Sequence, residues 1–121
     1  MSEPLETLQA FAAAIERGEP LVAADLFATD ATYEEPPAPI LRGRALLFAF
    51  FTDFANRHGD VSFTITRAFS DVSNTHTAAE WRFAYSRTAD GTRRVYEGIS
   101  ILEFTGNGLI ATWRGFSAML G

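Results

Sequence analysis

The chain has no cysteine and no lysine among its 121 residues. The first absence excludes disulfides, thiol nucleophiles and thiolate metal sites, and it suits a reducing compartment. The second excludes Schiff-base chemistry on a lysine amine. Apolar runs are short: the longest, such as Leu46 to Phe51, falls far short of the roughly 20 residues that span a bilayer. Met1-Ser2-Glu3-Pro4 lacks the basic flank of a signal peptide, so a cytoplasmic location and no membrane partner are expected. Basic residues are also few, ten arginines against fifteen acids for a net charge of −5, which argues against nucleic acid as a partner. Phenylalanine, by contrast, is plentiful: eleven Phe stand beside three Tyr and two Trp, with 47% of positions apolar. A chain of this length and composition is expected to fold as one domain over 1–121. Its aromatic surplus belongs either to the core or to a pocket.

Leu5, Leu8, Ala12 and Ile15 keep a helical period, with Pro4 in the first turn and Gly18 as a stop. A second short helix is expected from Pro20 to about Phe27. Ala31 to Glu35 reads as a strand closed by Pro36-Pro37, and its period of two puts Tyr33 and Glu35 on one face. Gly43 to about Asn56 is a third helix with an apolar stripe of Leu47, Phe50, Phe51 and Phe54. Val61, Phe63, Ile65 and Phe69 then alternate with polar residues, the pattern of a half-buried strand. Turn residues at Ser73-Asn74, Asp90-Gly91 and Gly106-Asn107-Gly108 divide the remainder into strands over roughly 76–87, 92–105 and 109–117. Three helices, one early strand and a four-strand antiparallel meander make an α+β domain with helices on one face of the sheet.

The text Leu26-Phe27-Ala28-Thr29-Asp30-Ala31-Thr32-Tyr33-Glu34-Glu35-Pro36, followed by Arg42-Gly43, resembles the nuclear transport factor 2-like superfamily. So do Glu80-Trp81, Asp90-Gly91, the run from Gly98 to Phe104, Gly106-Asn107-Gly108, Ile110 and Trp113-Arg114. This is the group of SnoaL-like polyketide cyclases, steroid ketoisomerases and limonene epoxide hydrolases. The resemblance implies a cone-shaped, curved antiparallel sheet with three N-terminal helices on its concave face. It covers nearly the whole chain and is specific for fold rather than for function. In the ketoisomerases it implies a general base at Glu35. Their oxyanion-hole tyrosine and aspartate fall on Phe11 and Ser100, of which Phe11 cannot donate and Ser100 is a weaker donor. The tyrosine and asparagine that position water in the epoxide hydrolases match Tyr33 and Glu35, but the other three positions hold Trp81, Phe83 and Gly115, so that constellation is absent.

Glu35 and Tyr33 are therefore the candidate catalytic residues. Inside an apolar cone, desolvation raises a carboxyl pKa toward neutrality and suits it to act as a base. The plain structural reading is a carboxylate held by Tyr33 that does no chemistry. Phe11, Phe54, Trp81, Phe83, Ser100, Leu102 and Trp113 are the expected ligand-binding residues. Parity with the family places Trp81, Phe83, Tyr85, Tyr96, Gly98, Ser100 and Leu102 inside the cone. Glu80 and Arg82 go to the convex face as an ion pair, and Ile99 and Ile101 to the same face as a homodimer interface. His58 and His76 have no acid at ligand spacing and read as solvated loop residues, so no metal and no cofactor are expected. Three functions compete. One is a cofactor-free isomerase, cyclase or dehydratase acting on a small apolar carbonyl compound. The second is a non-catalytic binder of a flat apolar ligand, and the third a dimeric interaction module.

Overall fold

The computed structural model describes residues 4–121; the reading of Met1, Ser2 and Glu3 lies outside the described residues. Helix α1, Pro4–Arg17, buries Leu8, Phe11, Ala12 and Ile15 along one stripe and stops at Gly18, whose φ of 65° ends the helix. Leu5, expected in that stripe, is exposed instead. Helix α2, Pro20–Ala24, ends three residues before the expected Phe27. The chain is drawn off into strand β1, Phe27–Glu34, because the Leu26 carbonyl accepts from Ile110 N and Phe27 pairs with Ile110. Local helix propensity is overridden by sheet pairing there.

A two-residue strand β2, Leu41–Arg42, pairs with β1 and was not foreseen. Helix α3, Arg44–Arg57, then leads directly into β3, His58–Ser70. Strands β4 (His76–Arg87), β5 (Arg93–Phe104) and β6 (Ile110–Met119) complete one six-stranded sheet in the order β2-β1-β6-β5-β4-β3. The last four strands form the expected antiparallel meander. The sheet as a whole is mixed, because β1 joins β6 in parallel. No hairpin links those two strands, so nothing forces them antiparallel. Hence the α+β cone, with helices on the concave face, holds with one parallel pair.

Phe11 of α1 anchors the core on that face. It meets Phe27, Phe51, Phe63 and Trp113 at ring centroid distances of 5.2–5.9 Å, the spacing of favourable aromatic pairs. Leu47 and Phe51 of α3 are buried as expected, whereas Phe50 is 43% exposed and lies at the cavity mouth. Phe69 departs from the expected inward row. The β3–β4 register shifts between Ile65 and Arg67, so beyond that bulge the faces exchange and Phe69 is exposed. No helix among the described residues is long and apolar enough to cross a membrane.

Candidate active site

Parallel pairing of β1 and β6 sets Tyr33 beside Trp113 and Glu34 beside Arg114, which brings Glu35 up to Gly115 on the next step. Tyr33 and Glu35 share the concave face, and the Tyr33 hydroxyl donates to Glu35 Oε1 at 2.9 Å. The Tyr33 and Trp113 rings stack at 5.6 Å and 16°, which fixes the phenol. Glu35 faces a cavity of about 270 Å³, near the lower end of small-molecule sites. Phe11 walls it on one side, Phe50, Phe51 and Phe54 on another, and Phe63, Trp81, Phe83 and Trp113 on the sheet.

Burial raises the Glu35 pKa above the ordinary carboxyl value, opposed in part by the Tyr33 hydroxyl and the Trp113 indole, which favour the ionised form. Tyr33 is pushed well above its usual value, first by burial and then by the Glu35 charge and hydrogen bond, so it stays protonated and acts as a donor. The Trp113 N–H lies close enough to influence the carboxylate, yet it is aligned on no acceptor among the described residues and is buried without a partner. Alignment rather than proximity makes a hydrogen bond, so Trp113 Nε1 counts as an unused donor. A buried donor of this kind costs free energy unless a ligand or water takes it up.

Gly115 is the reason this end stays open. A Cβ there would stand 2.9 Å from Glu35 Oε2, 3.0 Å from Ser100 Oγ and 3.0 Å from Trp113 Nε1. Three polar atoms thus converge over one missing methyl group. Ser100 is fully buried and accepts from the Trp81 indole N–H at 2.8 Å, so its own proton is left for a further acceptor. Gly98 plays a similar part for Trp81, whose ring would lie only 2.5 Å from a Cβ at that position.

Of the residues expected to touch a ligand, Phe11, Phe54, Trp81, Phe83 and Trp113 line the cavity. Ser100 sits behind Trp81, and Leu102 is fully buried in the core rather than in the lining. Strand parity placed Leu102 on the concave face, and there it is part of the hydrophobic core instead of the cavity wall. Glu80 does pair on the convex face, though with Arg67 rather than Arg82: Arg67 Nε and Nη2 donate to its two oxygens at 2.6 and 3.1 Å. The bulge that turns Phe69 outward also brings Arg67 opposite Glu80.

The sequence reading missed His58. It is no solvated loop residue, because α3 runs into β3 without a loop and leaves the ring in the cavity wall, stacked on Phe54 at 4.4 Å. His76 is exposed and contacts Asp71, whose carboxyl is held well below its usual range by backbone N–H donors, His76 first. Among the described residues no group of His, Asp or Glu is placed to hold a metal ion.

Residues 8–113 match the SnoaL-like domain family. A steroid Δ-isomerase of Nocardioides simplex is 31% identical over 106 residues, covering 87% of this chain and 81% of that protein. A Catenulispora acidiphila protein with a ketosteroid isomerase-like fold, solved in complex with trimethylamine, superimposes with a TM-score of 0.80. It is 22% identical, over 91% of this chain and 83% of that one. An M. tuberculosis LEH-like epoxide hydrolase gives a TM-score of 0.81 at 18% identity, over 95% and 82% of the two chains.

Proposed function

Because the chain belongs to the SnoaL-like family, within the nuclear transport factor 2-like superfamily, we propose that it is a cofactor-free enzyme that moves a proton on a flat apolar carbonyl compound, with Glu35 as the base. The observation that carries this is the carboxylate enclosed by aromatic rings, its pKa raised by burial, beside a buried indole N–H that makes no well-formed hydrogen bond. On a β,γ-unsaturated ketone, Glu35 takes the α-proton and the electron pair moves into the carbonyl, giving a dienolate. The Trp113 N–H then supports the oxyanion, where Phe11 offers no donor. Return of the proton from Glu35 to the γ-carbon gives the conjugated enone, and nothing is gained or lost.

A steroid 5-ene-3-ketone is the natural test substrate, given the 31% identical isomerase, and the conjugated enone is read by its ultraviolet absorbance. Glu35→Gln is expected to lower turnover by about 10²–10⁴-fold, the usual contribution of a general base. Undiminished turnover in that variant overturns the reading. One observation favours a non-catalytic binder instead: Phe11, where the ketoisomerases are expected to keep a tyrosine, is 2% exposed and locked among other rings. That reading predicts quenching of Trp81 and Trp113 fluorescence by the same steroid with no enone formed. The homodimer is kept as a proposal, on the exposed Ile99, Ile101 and Phe116 of the convex face.

A further inference from the structure

The cavity has a second polar end that the base does not use. Along the concave side of β5, Ser100 beside Gly115 marks the Glu35 end, and Tyr96 lies four residues away, about 13 Å at a rise of ~3.3 Å per residue. On β4 the row Trp81, Phe83, Tyr85 runs the same way, because Trp81 pairs with Gly98 and Phe83 with Tyr96. The middle of the cavity is thus aromatic, while the far end carries His58, Tyr85 and Tyr96.

These three groups are organised. The His58 ring is held between Phe54, stacked at 4.4 Å, and Tyr85, edge-on at 4.5 Å. Its Nδ1 lies 2.9 Å from the Phe54 carbonyl, which can only accept, so Nδ1 carries the proton and, in that tautomer, Nε2 is an acceptor. The Tyr85 and Tyr96 hydroxyls are 3.3 Å apart. One proton of the pair is spent between them and the other is free to donate. Burial, then the Tyr96 hydroxyl, pushes the Tyr85 pKa up to about 12, which keeps Tyr85 protonated. An acceptor and a donor therefore sit together in an aromatic wall, the complement of a group that both donates and accepts.

We propose that this end is a second binding subsite, which takes a hydroxyl at the far end of an elongated, rigid, apolar ligand whose carbonyl lies at Glu35. The hydroxyl donates to His58 Nε2 and accepts from the tyrosine pair, two polar contacts on the order of 10 Å from the reacting end. A ligand with only one polar end would fill the aromatic middle and leave this pair unmatched. The subsite rests on the proposed function for which end of the ligand goes where, and it narrows the substrate class to polycyclic hydroxyketones.

The test compares testosterone with its 17-deoxy analogue androst-4-en-3-one, two flat enones that differ in the distal hydroxyl alone. Binding is read from the fluorescence of Trp81 and Trp113, which both line the cavity. The native protein is expected to bind testosterone about 5–10-fold more tightly. Tyr96→Phe, which removes one oxygen, and His58→Phe, which keeps the stacked ring, are each expected to reduce that ratio to about 1–3. Equal affinity for the two steroids in the native protein, a ratio unmoved in both variants, or no binding of either steroid overturns the subsite. If Glu35→Gln keeps turnover while the ratio stands and collapses as described, the base fails and the subsite survives. If Glu35→Gln abolishes turnover and the native ratio is 1, the subsite fails alone.

Discussion

Glu35 and Glu80 lie on opposite faces of the same sheet, and each has a donor within hydrogen-bonding distance. Glu80 has the closer one, with Arg67 at 2.6 Å against 2.9 Å for the Tyr33 hydroxyl at Glu35. Burial shifts the proton affinity of Glu35 upward. Glu80 and Arg67 stand in solvent, with side chains 39% and 66% exposed, and water screens their attraction. Enclosure, more than the distance to a partner, is what suits Glu35 to the proposed role of base. Enclosure also carries a cost: a charge in an aromatic cavity opposes folding, whereas an exposed pair is close to neutral.

Removing the enclosed charge should give the largest effect. Besides the loss of turnover, Glu35→Gln should fold more stably at neutral pH, because Gln keeps an acceptor for Tyr33 without the buried charge. The native state holds the Glu35 proton more tightly than the unfolded chain, whose value is 4.5, so the native protein loses stability as pH rises from there through the raised value. Turnover should rise across the same interval, as the base ionises. The gain in the variant, on the order of 1 kcal/mol, should therefore be present above that interval and absent below pH 4. A denaturant midpoint measured against pH for both proteins checks the sign.

Next in size is Trp113→Phe, which keeps a ring on Tyr33 and deletes the unpartnered N–H. If that donor supports the oxyanion, kcat should fall by about 10²-fold with little change in steroid affinity, the usual consequence of losing one such group. A merely structural indole predicts unchanged kcat. Gly115→Ala should cost less, roughly tenfold in kcat, because the new methyl meets the flexible end of Glu35 at 2.9 Å and displaces it. Both variants act on the concave carboxylate and leave Glu80 untouched, which keeps the comparison between the faces clean.

What the sequence disclosed of these two glutamates follows from how far each signal reaches. The period of two put Tyr33 and Glu35 on one face, and their bond at 2.9 Å agrees. The same period, with the family resemblance to say which face is concave, placed Trp81, Phe83 and Tyr96 in the cavity wall, and it held because β4 and β5 pair from end to end without a register shift. It failed on β3, where a one-residue bulge sends Phe69 outward and gives Glu80 to Arg67 instead of Arg82. No residue type announces that bulge. His58 was missed because its role depends on α3 meeting β3 with no intervening loop, a junction set by tertiary packing. The convergence at Gly115 was unreadable too: a glycine in a strand tells of a missing side chain, but not that Glu35, Ser100 and Trp113 fill the space around it.

The smallest effect is expected on the convex face, and there the smallness is informative. Arg67→Ala and Glu80→Gln, made singly and together, should each move the thermal midpoint of the monomer by no more than about 2 °C, with turnover unchanged. The pair borders the exposed Ile99 and Phe116, the patch on which the homodimer is proposed. If two copies cover that patch, the ion pair leaves water on association, and breaking one partner should then weaken the dimer far more than it destabilises the monomer. Sedimentation across a concentration series, run on the native chain and on Glu80→Gln, separates the two cases. A native chain that stays monomeric throughout removes the dimer and leaves Glu80 as the solvated counterpart of Glu35. A native dimer that Glu80→Gln dissociates shows that enclosure can be supplied by a second copy as well as by the cone.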